Sequence, residues 1–213
     1  MATFNVKKSR YDIDQILYHF GLKRSTNCEV LQHWLAVTPA SDYVLPAQLE
    51  RKRLRLLEQG GLWNEEELKM HFISIVFDCA DIEIPDRMQL FYERSLVGVV
   101  EGTPLSVICD ALLASPLGIN TPKSPYFFLQ EFKKGKKAQD DAEGQMLVAM
   151  LLAQALNQDN HPIYGCYLLG KDWCFTTLHE KNYCFSKTYD ATETDELIHI
   201  IHILQNIVNI VHR

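Results

Sequence analysis

The sequence lacks a long apolar run, an excess of positive charge, paired-cysteine motifs and glycine-rich phosphate loops, and each absence removes a class of function. No apolar stretch approaches the roughly 20 residues that span a bilayer, so no membrane partner is expected. The first residues, Met-Ala-Thr-Phe-Asn-Val-Lys-Lys, have no apolar signal-peptide core, and the expected location is cytoplasmic. Six cysteines are present (Cys28, Cys79, Cys109, Cys166, Cys174 and Cys184), yet none forms a C-x-x-C pair and most lie inside apolar runs. That usage fits buried free thiols better than zinc ligands or a disulfide framework. The net charge of −6 opposes non-specific coating of nucleic acid but leaves room for a local basic site. Neither Gly-x-x-x-x-Gly-Lys nor Gly-x-Gly-x-x-Gly occurs, so chemistry through a nucleotide cofactor is not expected. Ser41-Asp42 and the eight scattered histidines assemble no nucleophilic triad.

What is present suits one globular domain with an appended subdomain. Residues 1–60 read as a helical N-terminal extension with no strong strand, and residues 61–213 as the core domain. Tyr11 to Phe20 carries helical apolar spacing and stops at Gly21; Ser25 to Asn27 offers a cap for a second helix; Pro46 to Gln59 reads as a third. A fourth helix starts at Asn64, which forms a capping-box-like pair with Glu67, and runs to about Phe77. The pattern then changes to period 2. Strands are expected at Leu90–Tyr92, Ser95–Glu101, Leu105–Leu112 and Tyr126–Phe132. An amphipathic helix follows at Ala142–Asn157, then strands at Ile163–Leu169, Trp173–Leu178 and Tyr183–Ser186, and an apolar helix from Thr194 to Val211. This order predicts an α/β fold, a mixed central β-sheet flanked by helices.

Two of the strands end in acids. Leu105-Ser-Val-Ile-Cys-Asp110 ends in Asp110, and Tyr126-Phe-Phe-Leu-Gln-Glu131-Phe-Lys133 ends in Glu-x-Lys. Period-2 alternation turns Glu131 and Lys133 to one side and Phe132 to the other. Glu-x-Lys occurs twice more, at Glu50-Arg51-Lys52 and Glu67-Leu68-Lys69, but both copies lie in helical patterns, where residues i and i+2 do not share a face. If the two strands pair, Asp110 and Glu131 approach each other. Such carboxylates, with the Phe132 carbonyl, suit Mg²⁺ or Mn²⁺, and Lys133 is then placed to orient a water and offset phosphate charge. The other reading of the same residues is an ion pair at the end of the sheet. Lys134, Lys136 and Lys137 extend the cluster as candidate contacts to a phosphate backbone, or as a solvated turn. Arg51-Lys-Arg-Leu-Arg55 reads as an exposed helix face.

This arrangement resembles the PD-(D/E)XK nuclease superfamily, over about residues 64–212. The resemblance implies a restriction-endonuclease-like α/β/α core: a helix, a β-meander with an acid on its second strand, Glu-x-Lys on the third, a helix and further strands. Asp110, Glu131 and Lys133 take the three core roles, although Cys109 precedes the acid where proline is common. The resemblance adds Gln145 on the following helix and Glu65 on the first one, because Asn64-Glu65-Glu66-Glu67 looks like the corresponding stretch in type I restriction subunits. Glu65, Leu68, Phe72 and Val76 share one helical face. An acid in a first helical turn is also favoured by the helix dipole alone. The implied activity is hydrolysis of nucleic-acid phosphodiester bonds, DNA in the first place, by a metal-activated water. The alternative is a non-catalytic binding or assembly module on the same fold, with a second copy of the chain as partner.

Overall fold

The computed structural model describes residue 6 and residues 11–118, 121–133 and 141–211, with Phe128 and Leu129 described in the main chain only. Helix α1 spans Ile13–Phe20. The Asp12 side chain accepts from Gln15 N at its start, and Gly21 ends it in the left-handed conformation at φ 60°. Strand β1 (Lys23–Ser25) and helices α2 (Glu29–Leu35) and α3 (Ala47–Gln59) follow. The next helical segment is continuous from Glu65 to Ala80: α4 (Glu65–Leu68), a π-helical turn (Lys69–Ile73) and α5 (Ser74–Ala80). It extends past the expected stop near Phe77, and the Asn64–Glu67 capping box forms as expected.

Strands β2 (Gln89–Val100), β3 (Thr103–Ser115) and β4 (Lys123–Lys133) make a meander, followed by α6 (Ala142–Asn157). A second meander of β5 (Ile163–Leu169), β6 (Asp172–His179) and β7 (Asn182–Asp190) leads into α7 (Thr194–Val211). The seven strands of the described residues form one sheet in the order β1-β7-β6-β5-β4-β3-β2. The β4–β5 and β1–β7 pairs are parallel and the others antiparallel, so the sheet is mixed as predicted. The parallel β4–β5 pair needs a crossover, and α6 supplies it. Apolar side chains of α1 and α6 pack on one face of the sheet; those of α2, α3, α4, α5 and α7 pack on the other.

Residues 13–59 are not purely helical. The three residues of β1 pair with β7 at the sheet edge, Arg24 opposite Tyr183. The segment Lys23-Arg24-Ser25 has no apolar alternation, so nothing in its pattern marks a strand; its partners are non-local. Arg24 donates to both carboxylate oxygens of Glu143 on α6, at 2.8 and 3.0 Å, and lies 3.9 Å over the Phe185 ring. The β1–β7 pairing also sets Ser25 beside Cys184, and the chain returns over that point at the start of α2. Cys28 and Cys184 are joined there as a disulfide with Cα atoms 6.4 Å apart, which corrects the expectation of free thiols for this pair. Cys79, Cys109, Cys166 and Cys174 are free. Among the described residues no helix is long and apolar enough to cross a membrane.

The start of α1 and the residues just before it dock on the N-terminus of α6, where Asp141 Oδ2 accepts from Ile13 N. Gly144 makes this approach possible, since a Cβ there would lie 1.6 Å from the Tyr11 carbonyl oxygen. In a free helix Gly→Ala stabilises by roughly 1 kcal/mol. Here Gly144→Ala is expected to destabilise by about 2 kcal/mol through overpacking. Urea denaturation decides the sign, and a stabilised variant would disprove the docking.

Candidate active site

The site lies where the β3–β4 ladder opens. Ala111 pairs with Gln130, which sets Asp110 beside Glu131 at the next step. There the Asp110 side chain replaces the ladder: its Oδ2 accepts from Phe132 N at 2.7 Å. On its other side β4 remains paired with β5 as far as Lys133, opposite Leu169. Glu131 is buried at 3% exposure and accepts from Lys133 Nζ at 2.8 Å. The expected convergence of the Glu-x-Lys pair is therefore present, with the Phe132 ring in the core on the other side. Glu65, in the first turn of α4, places Oε1 3.9 Å from Lys133 Nζ.

Two residues of the site escape sequence reasoning. Lys69 Nζ donates to Asp110 Oδ1 at 2.8 Å and to Glu93 Oε1 at 2.7 Å, lies 3.9 Å from Glu65 Oε1, and stands 5.5 Å from the centre of the Phe132 ring. It belongs to a Glu-x-Lys copy that helical spacing excludes. Its partner in the helix is Glu65, four positions back and so on the same face, while Glu67 serves the cap. The π-helical turn begins at Lys69, and such turns are enriched at functional sites. Glu93 faces Asp110 across β2–β3, between the pairs Tyr92–Ala111 and Arg94–Cys109, and has φ +51°. A left-handed residue inside a strand is strained and needs support from its surroundings. The alternation of β3 slips at the same point: Leu105, Val107 and Cys109 share a core layer with Leu112 and Ala114, while Ala111 and Leu113 face the other layer. This slip keeps Asp110 buried without turning it into either apolar layer.

The other expected site residues are placed differently. Gln145 lies in the first turns of α6 and makes no hydrogen bond to Asp110, Glu131, Lys133 or Glu65; its Oε1 is buried without a partner. Of Phe132, the main-chain N–H hydrogen-bonds within the site. Lys134, Lys136 and Lys137 lie outside the described residues.

Four carboxylates and two ammonium groups thus share a partly buried volume. Burial, then the charge of Asp110, pushes Glu131 up to about 8, against the pull of Lys133. Burial also raises Glu65, with Lys133 opposing. Burial disfavours the charge on Lys69, but its hydrogen bonds to Asp110 and Glu93 outweigh this and hold it above an ordinary lysine. Lys133 is likewise opposed by burial and held up by Glu131. In kind, the oxygen donors Asp110, Glu131 and Glu65 fit a hard divalent cation. In this arrangement, among the described residues, no three His, Cys, Asp or Glu side chains are grouped to hold a metal ion. Lys69 and Lys133 stand between the carboxylates and already supply cationic charge.

The Glu131 carboxyl gives a pH signature. Its folded value of about 8 lies above the ordinary 4.5, so the folded state favours the neutral form. That stabilisation is complete below about pH 4.5 and is lost as pH rises through 8. Glu131→Gln is therefore expected to gain stability relative to wild type between pH 5.5 and 8.5, by on the order of 2 kcal/mol. Urea midpoints at the two pH values measure the gap, and a gap independent of pH contradicts the assignment.

Comparison with protein-family models and with curated proteins finds no match, so the functional reading rests on the geometry of these residues.

Proposed function

We propose that the protein is a Mg²⁺- or Mn²⁺-dependent nuclease of the PD-(D/E)XK type that hydrolyses nucleic-acid phosphodiester bonds, with DNA as the first substrate. The observation that carries this reading is the meeting of Asp110, Glu131, Lys133 and Glu65 at the open end of the β3–β4 ladder. The order of helix, meander, crossover helix, meander and helix supports it. A cytoplasmic location is part of the same proposal.

Asp110, Glu131 and Glu65 would hold the metal, with the Phe132 carbonyl as a main-chain ligand. A bound ion supplies Lewis acidity and lowers the pKa of a water. The chain's own residues do the positioning. Phe132 N–H fixes the Asp110 carboxylate relative to β4. Lys133 keeps its ammonium 2.8 Å from Glu131 and remains partly exposed, so it can orient a water or neutralise a phosphate oxygen without losing its internal partner.

A cleavage assay on DNA and RNA, with and without Mg²⁺ or Mn²⁺, tests the proposal. Divalent-dependent cleavage is expected, with Lys133→Ala slower by about a hundredfold or more, the scale of one lost electrostatic group. No cleavage, or equal rates in the variant, rejects it.

A second reading, a non-catalytic homodimeric assembly module on the same fold, draws support from β2. This strand forms the sheet edge, and Val97 and Val99 on it, with Ile108 on β3, are exposed. Sedimentation with metal calorimetry separates the two. Tight self-association without Mg²⁺ or Mn²⁺ binding favours assembly, and a monomer that binds metal excludes it.

A further inference from the structure

We infer that Lys69 is a built-in rival of the divalent ion: its ammonium, bonded to Asp110 Oδ1, competes with a metal for that oxygen and has to leave it when a metal binds there. The inference rests on the metal-site reading above and concerns the regulation of that same site.

Asp110 has two oxygens and both are engaged. Oδ2 is fixed by the main-chain N–H of Phe132, and the remaining Oδ1 is held by Lys69 at 2.8 Å. A metal that takes Asp110 Oδ1 therefore meets Lys69, whose ammonium is already bonded to that oxygen. Like charges cannot share it: an ammonium in hydrogen-bond contact with a ligand oxygen repels an incoming divalent cation at short range and in a partly buried setting, where screening by water is weak.

Lys69 also has somewhere to go. Its second partner, Glu93 at 2.7 Å, is more than half exposed, so the flexible lysine stem can swing onto Glu93 alone and towards solvent. Two local distortions coincide with this pair. The π-helical turn begins at Lys69, and the left-handed φ of Glu93 occurs directly opposite Asp110. Regular helix and regular strand are both interrupted at the residues that contact Asp110 through Lys69.

Calorimetric titration of Mn²⁺ alone into wild type and Lys69→Met tests the inference without reference to activity. The variant is expected to bind Mn²⁺ at least about tenfold more tightly, the scale of one charge-assisted contact. Equal affinities overturn the rivalry and leave the metal site standing. Absence of binding in both proteins overturns the rivalry and the metal site together. Because Lys69→Met leaves a buried carboxylate unpaired and can unfold the chain, a second measurement uses wild type. Reductive methylation followed by mass spectrometry is expected to modify Lys69 severalfold faster at saturating Mn²⁺, while Lys23, exposed on β1, is unaffected. An unchanged Lys69 rate in Mn²⁺-bound protein overturns the inference.

Discussion

The hydrogen bond from Phe132 N–H to Asp110 Oδ2 holds the candidate site in shape, because it joins β3 to β4 at the step where their regular pairing ends. A strand that parts from its neighbour leaves main-chain groups without partners, and buried ones are costly. Here a carboxylate takes over one of those donors, and a charge-assisted bond is stronger than the neutral one it replaces. The ladder opens without losing its hydrogen bond, and the opening admits Lys69, Glu65 and Lys133 to the gap. β5 continues to support β4 on its other edge, so Glu131 and Lys133 stay on a rigid strand while one side of it is free for chemistry.

The fold was largely legible where local pattern and tertiary environment agree. The buried strand before Glu131, the crossover helix from Ala142 and the closing helix from Thr194 show their periods plainly, and their residues lie in the core as that pattern requires. Strand β1 was not legible, since Lys23-Arg24-Ser25 is charged and its strand character comes only from β7. The Cys28–Cys184 bond is hidden for the same reason: 156 positions separate the two residues, and only the β1–β7 pairing brings them together.

The site shows the same division. Glu131 and Lys133 are readable because i and i+2 converge on a strand, and Asp110 as the acid of a neighbouring apolar run, although β3 does not end there but continues to Ser115. Lys69 is not readable from the i and i+2 relation, which does not converge on a helix; its relation to the site runs through the i, i+4 neighbour Glu65 and through Asp110, 41 positions away. Glu93 gives no sequence signal at all. An exposed acid on an edge strand is ordinary, and only its position opposite Asp110 makes it part of the cluster. Gln145 illustrates the reverse case, a residue named by resemblance whose side chain makes no hydrogen bond to the cluster.

Charge balance links these residues into one unit. Burying a carboxylate or an ammonium is costly unless it is paired. Lys69 answers Asp110 and Glu93 directly, and Lys133 answers Glu131, while Glu65 stands at a longer distance from both lysines. With every group ionised, the four carboxylates and two ammonium groups of the described residues leave the cluster two negative charges in excess. Burial first, and then the charge of Asp110, pushes Glu131 up, so it is the acid of the cluster that most favours its neutral form. A divalent cation would supply the same two charges from outside. Protonation of Glu131 and entry of a divalent cation would thus be competing ways to reduce the same excess of negative charge.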